Sequence, residues 1–289
     1  MRLRSTIAAL ASAAALGAQS PTQVVTTEWL SKRLNDRSVV VLHVTTDSEY
    51  AIGHIPGARE LKYRDLVVSR DGLRSELPEA AALARSFETL GVSDDVTVVL
   101  YAAEAPMATR ALFSLAAIGH ARAAYLDGGL PQWVAEGRAV SKDPVVASAS
   151  GTLRVTAHPE LVADAALIQS RIGAATSFID TRTDGEYNGT GNRSGMPSAG
   201  HIAGARQLEW EQLFESANPL KLKPRAELEA LFAARVPKGN DVVTYCWVGY
   251  RASATWFVAR LLGYTTRLYD GSYQDWQLRK LPVTTGPTP

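Results

Sequence analysis

Apolar residues along this chain gather in short runs rich in β-branched side chains, and longer mixed segments with helical spacing lie between them. Val40-Val41-Leu42, Val98-Val99-Leu100, Phe178-Ile179 and Val242-Val243-Thr244-Tyr245 have the length and character of strands, whereas 79–90, 107–118, 225–235 and 252–262 read as helices. Strands that alternate with helices predict βαβ units and a parallel sheet covered on both faces, so the expected fold class is α/β. In open sheets of this kind a ligand sits at the carboxyl ends of the strands.

The pattern occurs twice. The run Val40 to Val44 leads to Glu49-Tyr50 and then to Gly53-His54-Ile55-Pro56-Gly57-Ala58. In the second half, Phe178-Ile179-Asp180-Thr181-Arg182 leads to Glu186-Tyr187 and then to Gly200-His201-Ile202-Ala203-Gly204-Ala205, in the same register apart from ten inserted residues. Further on, Val98-Val99-Leu100-Tyr101-Ala102 answers Val242-Val243-Thr244-Tyr245-Cys246. Leu126-Asp127-Gly128-Gly129 with Trp133 answers Tyr269-Asp270-Gly271-Ser272 with Trp276. Residues 141–152, small and polar with one Pro, read as a linker. The expected organisation is a first domain at 22–140, a linker at 141–152 and a second domain at 153–285.

Residues 1–18 have the form of a secretory signal: Arg2 and Arg4 precede an apolar stretch too short to span a bilayer. The expectation is an exported, periplasmic protein that has no membrane segment once the signal is removed. Of 289 residues 46% are apolar, and 30 Lys and Arg balance 29 Asp and Glu. No basic run or aromatic-basic stripe points to nucleic acid or a membrane surface, which leaves small molecules as the expected partners; the expected state is a monomer. The scattered His43, His120 and His158 have no metal-ligand spacing, and no metal or other cofactor is expected.

Cys246 is the one cysteine. It falls where a strand gives way to a helix, and the connecting loop Cys246-Trp247-Val248-Gly249-Tyr250-Arg251 holds one Gly and one Arg. A sulfur at a helix N-terminus meets unpaired backbone N–H groups and the positive end of the helix dipole, which favours its thiolate. A lone cysteine more often fills a core, but this placement favours an accessible, reactive thiol. Ala102 stands at the matching position of the first copy, so only the second domain carries a nucleophile. Gly249 is expected to allow a turn that a Cβ would obstruct. Arg251 has two open readings: a charge that orients an anionic substrate, or a structural partner for Asp180 or Glu186.

From residue 24 to residue 282 the chain resembles the tandem rhodanese-domain sulfurtransferases. The resemblance rests on Gly53 to Ala58, Asp180-Thr181-Arg182 with Glu186-Tyr187, Gly200 to Ala205, the loop from Cys246 to Arg251, and the stretch from Tyr269 to Trp276. In that last stretch Tyr273 and Asp275 replace the family's usual Trp and Glu. The resemblance implies two rhodanese-like domains, and a double displacement in which Cys246 takes the outer sulfur of thiosulfate, sulfite departs, and the persulfide passes its sulfur to cyanide or a thiol.

The same resemblance bears on the donor and on supporting residues. The mercaptopyruvate branch begins its loop Cys-Gly-Ser-Gly and places a His before Leu-Pro. Here Trp247 and Val248 replace Gly and Ser, and Ser75 takes the His position, so thiosulfate is favoured and mercaptopyruvate is the alternative. Asp180 resembles an aspartate kept beside the loop in a supporting role. The family's substrate-binding Arg is Glu186 here, which leaves Arg193, in the insertion, and Arg74, from the first domain, as candidate replacements. Two rivals remain. One is a sulfur carrier without turnover of its own. The other is a cysteine phosphatase, disfavoured because only four residues separate Cys246 from Arg251 and the smaller cradle suits one sulfur better than a phosphoryl group.

Overall fold

The computed structural model describes residues 23–46, 48–191 and 200–289; the expected signal at 1–18 and Arg193 lie outside the described residues. The first half contains β1 (Gln23–Val25), α1 (Thr27–Ser31), β2 (Val39–Thr45), α2 (Glu49–Ile52), β3 (Arg59–Lys62), β4 (Val68–Arg70), β5 (Leu73–Glu76), α3 (Ala80–Glu88), β6 (Thr97–Ala102), α4 (Ala105–Ala117), β7 (Ala123–Leu126) and α5 (Gly129–Ala135). The second contains β8 (Val162–Ala163), α6 (Ala165–Arg171), β9 (Thr176–Asp180), α7 (Asp184–Asn188), β10 (Arg206–Gln207), β11 (Phe214–Glu215), β12 (Asn218–Leu222), α8 (Arg225–Ala233), β13 (Asp241–Tyr245), α9 (Ala252–Leu261), β14 (Thr266–Tyr269) and α10 (Ser272–Leu278).

Each half builds a five-stranded parallel sheet, in the order β1-β7-β6-β2-β3 and β8-β14-β13-β9-β10. Position for position the two windings agree, as the duplicated sequence requires. Helices cover both faces, so the central strands β6 and β13 are buried along nearly their whole length. The recurring Tyr and Gly-His motifs form matching corners. The phenols of Tyr50 and Tyr187 each donate at 2.7 Å to the carbonyls of Ala58 and Ala205, and their rings stack on His54 and His201 at 3.9 and 3.8 Å. Both histidines are therefore structural. Helix α4 starts two residues before the expected 107, because Pro106 lies in its first turn, where a missing N–H breaks no helical hydrogen bond.

The halves are joined by more than the linker. The hairpins β4–β5 and β11–β12 each leave their own domain to be held by the other. Asp270 Oδ2 accepts the Leu77 N–H at 2.7 Å, and Asp127 Oδ1 accepts the Leu222 N–H at 2.8 Å. The repeated Asp-Gly motif is thus a clasp for the opposite domain's hairpin. Helices α4 and α9 pack between the sheets, with Thr109 Oγ1 and Ser253 Oγ 2.8 Å apart and Phe113 edge-on to Trp256 at 4.9 Å. One cluster of buried apolar residues runs through both domains. Among the described residues no helix is long and apolar enough to cross a membrane.

Candidate active site

Strand β13 delivers Cys246 to its carboxyl end, and residues 247–251 turn the chain into α9. Gly249 makes this turn possible: its φ is +76°, and a Cβ there would stand 2.8 Å from the Asp270 carbonyl oxygen. The loop's carbonyls are tied down from outside, since Tyr273 N–H donates to Cys246 O at 3.1 Å and Gln274 N–H to Trp247 O at 2.9 Å. Ser272 Oγ accepts the Cys246 N–H at 3.2 Å and donates to Tyr269 O at 2.7 Å. Ser272 has a φ of +51° where the first copy places Gly129 at +55°, so backbone strain is accepted here and the hydroxyl braces the cysteine.

Among the described residues, none of the backbone N–H groups from Trp247 to Arg251 donates a hydrogen bond to the protein. Amides in native folds are nearly always paired, and successive unpaired ones in a tight turn form a nest for an anion. The loop therefore offers a cradle of amide donors in the turn that begins at Cys246.

The thiol itself is not on an open turn as expected. Cys246 is 1% exposed and packs into the apolar cluster. The reason is the first domain, whose residues close over the loop: Tyr63 meets the Tyr250 ring edge-on at 5.4 Å, and the Tyr250 hydroxyl donates to Glu104 Oε2 at 2.8 Å. Burial pushes the Tyr63 phenol up to about 12, so it stands near Cys246 as a neutral group.

Three buried arginines surround the loop, and each has a carboxylate partner. Arg251 forms a bidentate pair with Glu186, both bonds 2.8 Å. Of its two open readings, the structure shows the structural one. Burial by itself would raise the Glu186 carboxyl, but the Arg251 hydrogen bonds and charge bring it down to about 2. Burial likewise opposes the charge on Arg251, which Glu186 and the neighbouring Cys246 sulfur restore, raising its pKa. Asp180 does not touch the loop's arginine. Its carboxylate takes Arg182 Nε at 2.9 Å and Nη2 at 2.6 Å, and Arg182 lies 3.9 Å over the Tyr273 ring. Asp180 therefore supports the site through Arg182 and Tyr273.

The third arginine was missed in the sequence. Arg110, fully buried on α4, reaches from the first domain to Asp270 Oδ1 at 2.6 Å and donates to the Ser75 carbonyl at 2.7 Å. Its Nη1 would lie 3.1 Å from a Cβ on Gly249, so it packs directly behind the loop. The available signal was the one charge in a helix otherwise made of apolar and small hydroxyl residues. Nearby, Glu76 is pushed up to about 7 by burial and by the charge of Asp270. Arg74 crosses to the second domain only through its backbone N–H, which donates to Gln274 Oε1 at 2.9 Å; its side chain is exposed, because β5 turns it outward. Trp247 packs beside Tyr273 with ring centroids 6.0 Å apart, and Val248 is half-buried.

A cleft of about 600 Å³ opens between the domains beside the loop. Tyr250 and Arg251 line it from the second domain together with Glu186, Glu209, Trp210 and Glu211, and Ala103, Glu104 and Ala105 line it from the first. Its first-domain wall is thus the segment that follows Ala102, the counterpart of the Cys246 loop.

This arrangement agrees with a comparison of sequences. The model of the rhodanese-like domain matches twice, at residues 26–136 and 164–279. The chain belongs to the rhodanese family. It is 34% identical over 251 residues to a thiosulfate sulfurtransferase of Pseudomonas aeruginosa, covering 86% of this chain and 91% of that protein. It is 33% identical to the sulfur carrier protein TtuD of Thermus thermophilus, covering 94% and 99%. Among solved structures, YnjE superposes with a TM-score of 0.81 at 24% identity, covering 91% of this chain and 68% of that one. That likeness carries the fold, two parallel rhodanese sheets flanked by helices.

Proposed function

We propose that this rhodanese transfers the outer sulfur of thiosulfate to a thiophilic acceptor through a persulfide on Cys246. The observation that carries the reading is the row of unpaired amides from Trp247 to Arg251 around the chain's one cysteine. The Cys246 thiolate attacks the outer sulfur of thiosulfate, an S–S bond forms, and the bond to the sulfonate sulfur breaks with its electron pair leaving on sulfite. The product persulfide carries its negative charge on the terminal sulfur, where the cradle amides stabilise it as they would an oxyanion. An acceptor thiol RSH then takes that sulfur as RSSH, and the thiolate of Cys246 is restored.

The arginines hold the cradle in shape and lend it positive potential while paired, so the amides rather than a free guanidinium receive the donor. Relatives named thiosulfate sulfurtransferase at 31–34% identity support this donor. The sulfur-carrier name of the Thermus relative supports a second reading, in which Cys246 is loaded but does not turn over alone. Export and a monomeric state belong to the proposal, and export rests on the sequence of residues 1–18.

Intact-mass spectrometry after incubation with thiosulfate tests the proposal. The wild type should gain one sulfur and the Cys246→Ser variant none. Failure of the wild type to gain sulfur would overturn the reading, and loading without steady-state transfer to cyanide would favour the carrier.

A further inference from the structure

The cleft beside the cradle has a charge that a site for anions should not have. Four carboxylates line it, from Glu104, Glu186, Glu209 and Glu211, and among the described residues the one cation in its wall is Arg251. Arg251 is committed to Glu186 through both of its terminal nitrogens. Among the described residues Glu104, Glu209 and Glu211 have no cationic partner around the space, and the Glu104 carboxylate is held in place by the Tyr250 hydroxyl. Glu209 registers this crowding: burial raises its carboxyl pKa, and the charges of Glu211, Asp184 and Glu186 raise it further against the single pull of Arg251. Trp210 and Tyr250 add aromatic surface, which attracts cations and repels anions. A volume of about 600 Å³ lies within the range of small-molecule sites.

Thiosulfate, a dianion, is poorly served by such a wall and is received by the amides of the loop. The second substrate has no such constraint. We infer that the acceptor is a small aminothiol, whose ammonium group occupies the carboxylate-lined cleft while its sulfur meets the Cys246 persulfide at the edge formed by Tyr250 and Arg251. This assignment rests on the sulfurtransferase reading above and adds the class of acceptor. The transfer balances without a further reactant: the acceptor's S–S bond forms as the bond between Cys246 Sγ and the terminal sulfur breaks, and the electron pair of that bond remains on Sγ.

The test uses full-length protein charged with thiosulfate and freed of excess donor. Its loss of one sulfur is followed by intact mass with three thiols of similar size: cysteamine, neutral 2-mercaptoethanol and anionic 3-mercaptopropionate. Rates are normalised to thiolate concentration. At low ionic strength cysteamine should react at least about tenfold faster than 3-mercaptopropionate, and added salt should shrink the difference. In the Glu209→Gln/Glu211→Gln variant the spread should narrow, while loading by thiosulfate should become faster as the repulsion is removed. Equal rates for the three thiols, an anion that reacts fastest, or an unchanged spread in the variant would overturn the inference and leave the sulfurtransferase reading intact. Failure of thiosulfate to load Cys246 would overturn both.

Discussion

At the scale of single residues, the site is organised by charges that satisfy one another. Arg251 and Glu186 are each about nine-tenths buried, and removing one partner from such a pair costs about 3 kcal/mol or more because the other is left uncompensated. Arg251→Ala should therefore lower the melting temperature and slow loading and discharge of the persulfide together. Arg251→Ala/Glu186→Gln should recover much of the stability without recovering the rate, which a melt and a mass time course on both variants will check. In the first domain, burial and the nearby His54 lower the pKa of His43 from 6.5 to about 4. A depressed histidine pKa means that the unfolded chain binds the proton first. The stability is fully present above pH 6.5 and is lost as pH falls toward 4, by about 3 kcal/mol. His43→Gln should flatten that part of a plot of melting temperature against pH.

At the scale of elements, the loop depends on what is packed behind it. The positive φ of Gly249 and the close carbonyl of Asp270 leave no room for a side chain, whereas Gly239, at φ +88°, has open space around its Cβ position. Gly249→Ala should reduce persulfide formation at least about tenfold, a loss of about 1.4 kcal/mol or more, while Gly239→Ala should cost only backbone strain and leave loading unchanged. Arg110 on α4 belongs to the same scale, since it fixes Asp270 and Ser75 at once. Arg110→Ala leaves a buried carboxylate unpaired, and its melting temperature should fall more than that of Arg74→Ala, whose side chain is exposed.

At the scale of the molecule, the first domain lacks a nucleophile yet completes the site. It buries Cys246, supplies Arg110, forms one wall of the cleft and exchanges a hairpin with its partner through the paired Asp-Gly clasps. The second domain expressed alone from residue 153 would expose the apolar face of α9 and should not acquire sulfur from thiosulfate. Coexpression with residues 22–152 should restore loading. Wild-type loading by the isolated second domain would show that the interface is dispensable.

The duplication, the α/β class, the placement of Cys246 at a strand end and the turn at Gly249 were legible in the sequence because each is a local or periodic property. Period, length and turn chemistry are written in neighbouring residues. The sequence also marked Asp180 and Glu186 as candidates, but not which arginine each would hold. Tertiary structure alone decided that Arg251 closes on Glu186, that Arg110 crosses to Asp270, that the repeated Asp-Gly motif grips the opposite hairpin, and that the thiol is recessed beneath Tyr63 and Tyr250. Those partners lie up to 193 residues apart, and their pairing follows from how two sheets and their helices bury a shared core, which no local spacing encodes.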